Sequence, residues 1–234
     1  MPPEATEKQV PIIIQARMTS SRVPGKVLRK IGGEPLLALL LQRLEKSQTG
    51  FAVVATSVET SDDPIADFCR SSGVDVVRGP LDDVAMRFCR AIDKLQSDCF
   101  VRVCADSPFL DPALIDQAVG IYQQTDADLV TNVETRTFPV GQSVEVISSA
   151  TYLAAYQSFH TADHFEHVTA YFYEHPDNFK IQSFQSDGHY NDCHMAIDTE
   201  TNLQTLDNLV ATLDRPLDSY GWKELMTRLD AAEA

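Results

Sequence analysis

Residues 10–16, VPIIIQA, form an unbroken apolar and largely β-branched run. A strand wetted on one side alternates polar and apolar residues, so this one needs cover on both faces. The pattern recurs in FAVVATS (51–57), VDVVRG (74–79), CFVRVCA (99–105) and ADLVTNV (127–133). Between these runs lie helical patterns at 33–47, 61–73, 82–96 and 111–124. The first carries Pro35 in its first turn; the second has Ser61 or Asp62 as cap, Pro64 near its start and Gly73 beyond its end. Strand and helix in alternation predict an α/β fold with a mostly parallel sheet and helices on both faces.

After residue 134 the rhythm changes. Residues 137–148 read as a loop plus a strand, and SATYLAAYQSFH and DHFEHVTAYFYEH as helices. FKIQSFQ (179–185) and HMAID (194–198) are strand-like, and two helices complete the chain. With no repeat or clear linker, one domain over 1–234 with a late insertion or arm at roughly 134–190 is the simplest expectation.

Composition matters chiefly through charge. Hydrophobic residues make up 44% and charged residues 23%, the balance of a packed chain rather than a disordered one. No apolar run approaches the roughly 20 residues that cross a bilayer. MPPEATEKQV lacks the layout of a secretory signal, so no membrane association and a cytoplasmic location are expected. Five cysteines, without a CxxC pair, read as buried thiols rather than a disulfide or metal framework.

The net charge of −15 argues against a nucleic-acid partner, yet the charge is uneven. Residues 15–33 carry Arg17, Arg22, Arg29, Lys26 and Lys30 and no acid, whereas residues 34–234 hold 13 basic and 32 acidic side chains. One cationic loop on an acidic body suits a small polyanion. The loop directly follows the first buried strand, and ligands of open parallel sheets bind at the carboxyl ends of strands. Arg17 and Arg22 offer planar forks to phosphate oxygens and Lys26 a compact charge, while Ser20, Ser21 and Gly25 let donors approach closely. Neither GxGxxG nor a P-loop is present.

Asp106, after the fourth strand, and Asp198, after HMAI, offer hard oxygen ligands of the kind Mg2+ takes alongside nucleotide phosphates. His160, His164 and His167, with Glu166 among them, have a spacing that brings imidazoles near one helical face. That geometry is able to bind zinc, but the HExxH order is absent and no water-activating carboxylate is in position, so a polar helix face or a second-substrate contact is the plainer reading.

Residues 13–26, IIQARMTSSRVPGK, resemble the N-terminal signature of the cytidylyltransferase superfamily, and in particular its spore coat polysaccharide biosynthesis protein F branch. The likeness continues through Ala55-Thr56-Ser57, Arg78-Gly79, residues 102–108 (RVCADSP), Gly141 to Glu145, Glu166-His167-Val168-Thr169 and Ile197-Asp198. It departs at Ala105, where the branch usually has Gly, and at Asn202, where a second acidic residue is common.

The resemblance implies a Rossmann-like nucleotidyltransferase (GT-A-like) domain, paired as a homodimer through a small arm. It implies transfer of CMP from CTP to an acidic sugar or related acceptor, with pyrophosphate released. By position, Arg17 and Lys26 hold the triphosphate and Asp106 and Asp198 bind Mg2+. The Gln15-Ala16 backbone and the Thr56 region face cytidine, and Ser20, Arg22 and Arg78 join the nucleotide site. Gly141, Glu145 and His167 are implied acceptor contacts. Two alternatives stay open: a nucleotide-sugar glycosyltransferase, which the missing D-x-D disfavours, and a non-catalytic nucleotide-binding relative.

Overall fold

The computed structural model describes residues 9–233; residues 1–8, on which the reading of the N-terminus rests, lie outside the described residues. In chain order the elements begin β1 (Val10–Gln15), β2 (Lys30–Ile31), β3 (Glu34–Pro35), α1 (Leu36–Leu44), β4 (Gly50–Ser57) and α2 (Asp63–Ser71). They continue through β5 (Asp75–Gly79), α3 (Val84–Leu95), β6 (Cys99–Cys104), α4 (Pro112–Gln124), β7 (Leu129–Thr131) and β8 (Glu145–Ser148). The remainder is α5 (Ser149–Tyr156), α6 (Ala162–Glu166), α7 (Ala170–Glu174), β9 (Ile181–Ser183), α8 (Glu200–Ala211) and α9 (Trp222–Glu233).

Seven strands form one sheet in the order β5-β4-β1-β6-β8-β7-β9. Only β8 runs against the others, pairing antiparallel with both β6 and β7. β1 lies at the centre between β4 and β6, so Ile12, Ile13 and Ile14 are fully buried, as their unbroken apolar run demands. Alternate side chains feed two cores. Ile12, Ile14, Val54, Val101 and Val103 pack with Leu37, Leu40, Ile65, Leu114 and Ile115 of α1, α2 and α4. Ile13, Val53, Phe100 and Ile147 pack on the opposite face with Phe88, Tyr152 and Phe172 of α3, α5 and α7. A third cluster joins α8 and α9 to Ile31, Leu36, Phe109 and Ile197.

Local details differ from the sequence reading. Pro35 precedes α1 as its N-cap residue, because Glu34-Pro35 pairs with Lys30-Ile31 in a two-stranded ribbon turned at Gly32 and Gly33. Asp62, expected as a cap, is fully buried and makes no capping bond. Residues 163–175 do not form one helix: α6 ends at Glu166, and His167 adopts an extended backbone before α7 begins. HMAID is not a strand. Its only strand-like pairing is a single bridge between Val140 and His194, so Asp198 sits in a turn before α8.

The segment 134–190 is largely built into the body rather than standing apart. β8 is inserted between β6 and β7, and Val146, Ile147, Tyr152 and Phe172 belong to the two main cores. Among the described residues, no helix is long and apolar enough to cross a membrane.

Candidate active site

A cleft of about 350 Å³ opens at the carboxyl ends of β1 and β6, and both the loop after β1 and the turn after β6 line it. The loop is shaped by its own backbone. Gly25 adopts φ +67°, a conformation that disfavours any side chain, and its N–H donates to the Met18 carbonyl at 2.9 Å. This closes the turn and starts a short 3-10 helix at Lys26.

Asp62 fastens the loop to the sheet. Its Oδ1 accepts from the Met18 N–H at 2.7 Å, and its Oδ2 accepts from the Ser57 N–H at 3.1 Å and the Ser57 hydroxyl at 2.5 Å. Asp62→Ala strands those buried donors. The expected cost is about 3 kcal/mol, together with weaker nucleotide binding. Thermal unfolding and CTP titration check both; unchanged stability would show that the anchor is dispensable.

Lys26 is where the chemistry converges. Its Nζ donates to Asp106 Oδ2 and to the Ile197 carbonyl, each at 2.8 Å, and lies 3.9 Å from Asp198 Oδ1. Arg22 donates to the same Asp198 oxygen at 3.0 Å, and His194 Nε2 lies 3.4 Å from Asp198 Oδ2. Arg17 meets Glu166 through both of its terminal nitrogens, at 3.2 and 2.5 Å. Each of these loop cations is therefore paired with a carboxylate from a distant segment.

Asn202 does not enlarge the acidic cluster. Its side-chain oxygen accepts from the Asp198 N–H at 3.3 Å and the Thr199 N–H at 3.0 Å, completing a capping box at the start of α8. It orders the Asp198 turn. Among the described residues no group of three His, Cys, Asp or Glu side chains is placed to hold a metal. Two carboxylates sharing one ammonium nevertheless fit a hard divalent cation that draws its other ligands from phosphate and water.

Of the residues singled out from sequence, Gln15, Ala16, Arg17, Ser20, Arg22, Lys26, Asp106, His167 and Asp198 line this cleft. Four do not. Thr56 is fully buried. Arg78 is turned away: its guanidinium donates to the Ser57 and Glu59 carbonyls and pairs with Asp63, stapling β5 to the end of β4. Gly141 has φ +98°, and a Cβ there would come within 2.8 Å of the Met195 backbone, so it serves the packing of 140–142 on 194–196. Glu145 is 1% exposed, and both its oxygens are engaged by Arg102 and Tyr173.

The three histidines do not share one site, although the His160 and His164 rings meet edge to face at 5.0 Å. His164 is buried, with Nε2 on Glu174 at 2.8 Å, while Nδ1 accepts from the His160 N–H. His160 turns its own ring to the Ser158 carbonyl, and His167 faces Asp163. Because α6 begins at Ala162 and ends at Glu166, the three never share a helical face, and the zinc geometry fails.

Glu166, Arg87, Arg102 and Cys104 line the cleft without having been assigned a role from sequence. Arg102 left a signal, a charge inside the apolar strand run FVRVC that must find a partner. Glu166 stood out beside the histidines and in the family likeness, but nothing in the sequence pairs it with Arg17, 149 residues away.

The fold and this cleft define an α/β nucleotidyltransferase. A family model for cytidylyltransferases matches residues 11–231, and the chain belongs to that family of CTP-dependent enzymes. It is 30% identical over 204 residues to the spore coat polysaccharide biosynthesis protein SpsF of Bacillus subtilis, covering 83% of each chain. Its structure is similar to that of a cytidylyltransferase from Leptospira borgpetersenii, with a TM-score of 0.90 and 27% identity over 96% of this chain and 95% of that one. A CMP:2-keto-3-deoxy-manno-octonic acid synthetase solved with CTP shares the fold at a TM-score of 0.66 and 16% identity, covering 87% of this chain and 99% of that one.

Proposed function

We propose that the cleft binds CTP and transfers CMP to an acidic sugar or a related acidic acceptor, with release of pyrophosphate. The observation that carries this reading is the meeting of Lys26 with Asp106 and Asp198 beside Arg17 and Arg22. Arg17, Ser20, Arg22 and Lys26 hold the triphosphate, and the Gln15-Ala16 backbone borders the nucleoside. Asp106 and Asp198 hold Mg2+, which when bound neutralises phosphate charge. Lys26, placed beside both aspartates, would offer its ammonium to the phosphate oxygens.

An acceptor oxygen forms a bond to the α-phosphorus as the bond to pyrophosphate breaks, and the bonding pair leaves with pyrophosphate. The acceptor hydroxyl loses its proton to solvent. Positioning and charge neutralisation supply most of the acceleration in such transfers. The same reading includes a single domain over 1–234 working as a homodimer, which sedimentation measures.

A pyrophosphate-release screen tests the proposal by crossing the four nucleoside triphosphates with 2-keto sugar acids and phosphonates. Release is expected from CTP and from no other triphosphate. Release from a different triphosphate, or none from CTP with any acid, defeats the reading. Asp106→Asn is expected to raise the half-saturating Mg2+ concentration by at least about tenfold, since loss of even an outer-shell partner costs that much. An unchanged Mg2+ requirement removes Asp106 from the metal site.

A further inference from the structure

The cleft floor carries a polar row that holding CTP does not use. Arg102 on β6 stands opposite Glu145 on β8, which in turn stands opposite Thr131 on β7. Arg102 Nη1 donates to Glu145 Oε2 at 2.9 Å, and Nε donates to Gln15 Oε1 at 3.1 Å. The Tyr173 hydroxyl donates to the other Glu145 oxygen at 2.6 Å and lies 2.7 Å from the Thr131 hydroxyl. The side-chain oxygens of Gln15 and Glu145 are thus all engaged.

What remains are donors. Among the described residues Arg102 Nη2 and Gln15 Nε2 have no hydrogen-bond partner, and neither is sealed from solvent. Both residues line the cleft next to Cys104. Burying a guanidinium is costly, and a purely structural pair would gain nothing from leaving an edge unpaired toward an open cleft.

We propose that Arg102 and Gln15 form the seat for the carboxylate of the acceptor, with Glu145 as the positioning residue behind them. The inference rests on the cytidylyl-transfer reading and names the group by which the acceptor is chosen. A carboxylate presents charged acceptor lone pairs to these two unpartnered donors, a charge-assisted match that a neutral hydroxyl does not offer. The seat comes from the β1 and β6 strands themselves, whereas the phosphate cations come from the loop that follows β1. Two anions therefore have separate sites in one cleft.

The test uses the full chain and 2-keto sugar acids, each paired with its uncharged C1 amide. CTP affinity is measured by calorimetry and turnover by pyrophosphate release. Arg102→Met is expected to raise KM for the acid by about 10–100-fold, the worth of a charge-assisted hydrogen bond, while CTP affinity stays within about threefold. Arg102→Lys should recover part of the loss, because it keeps the charge without the fork.

Should Arg102→Met leave Glu145 stranded and fail to fold, Gln15→Met removes the second donor without burying an unpaired charge. It is expected to raise KM for the acid in the same direction by a smaller factor. In the wild type the amides should be about 100-fold poorer acceptors. The inference is overturned if Arg102→Met weakens CTP binding as much as acid use, or if the amides or neutral sugars react as well as the acids. Failure of the wild type to bind CTP, or to release pyrophosphate from it with any acid, would instead bring down the transfer reading itself.

Discussion

Replacing Lys26 with alanine is expected to lower pyrophosphate release by about 10²–10³-fold at saturating CTP and Mg2+, the usual loss when one donor to transition-state charge is removed. The fold should survive, because Lys26 lines the cleft with its ammonium held by two carboxylates and a carbonyl rather than within an apolar core. Its removal leaves Asp106 and Asp198 without their shared cation, so the half-saturating Mg2+ concentration should fall even as turnover drops. Those opposite movements separate a phosphate-binding lysine from one that only steadies the aspartates. Wild-type turnover in a folded Lys26→Ala protein would refute the assignment of the loop.

The largest effect on stability is expected far from the chemistry, at Arg43. This side chain is 1% exposed, and its guanidinium donates to the carbonyls of Leu110 at 2.9 Å, Leu217 at 2.6 Å and Tyr220 at 3.0 Å. It ties α1 to the turn that follows Asp106 and to the segment leading into α9. Arg43→Met strands three buried carbonyls, which together cost about 3–5 kcal/mol. For a chain of this size that lowers the unfolding midpoint by roughly 10 °C. Thermal unfolding checks it, and kcat measured well below the transition should stay close to wild type. A midpoint within a degree or two of wild type would mean that the carbonyls find other donors.

Arg43 also shows the limit of reading helices from periodicity. Within LLALLLQRL it occupies a position like that of any helix-end arginine, where cations usually meet solvent and the helix dipole. Its burial is decided by the third cluster closing over α1. Arg102 is the converse case. A charge inside FVRVC is visible as an anomaly in the sequence alone, yet nothing there says that Glu145, on an antiparallel strand inserted beside β6, answers it. Simple repetition of strand and helix would have set β7 next to β6.

The three histidines are kept off one helical face for a local reason: His160 precedes α6 and the chain leaves helical geometry at His167. The strand expected before Asp198 failed because 194–198 makes one bridge and no ladder, a difference of pairing partners rather than of composition.

The amino-acid sequence by itself determined the order of the buried strands and placed the cations directly after the first of them. Both follow from properties that act between neighbours along the chain: side-chain shape, alternation and turn chemistry. Only the tertiary structure decided which carboxylate each cation meets, since an ion pair is governed by separations of a few ångströms. Lys26 and Asp106 reach 2.8 Å across 80 residues of chain because parallel pairing sets β1 and β6 side by side.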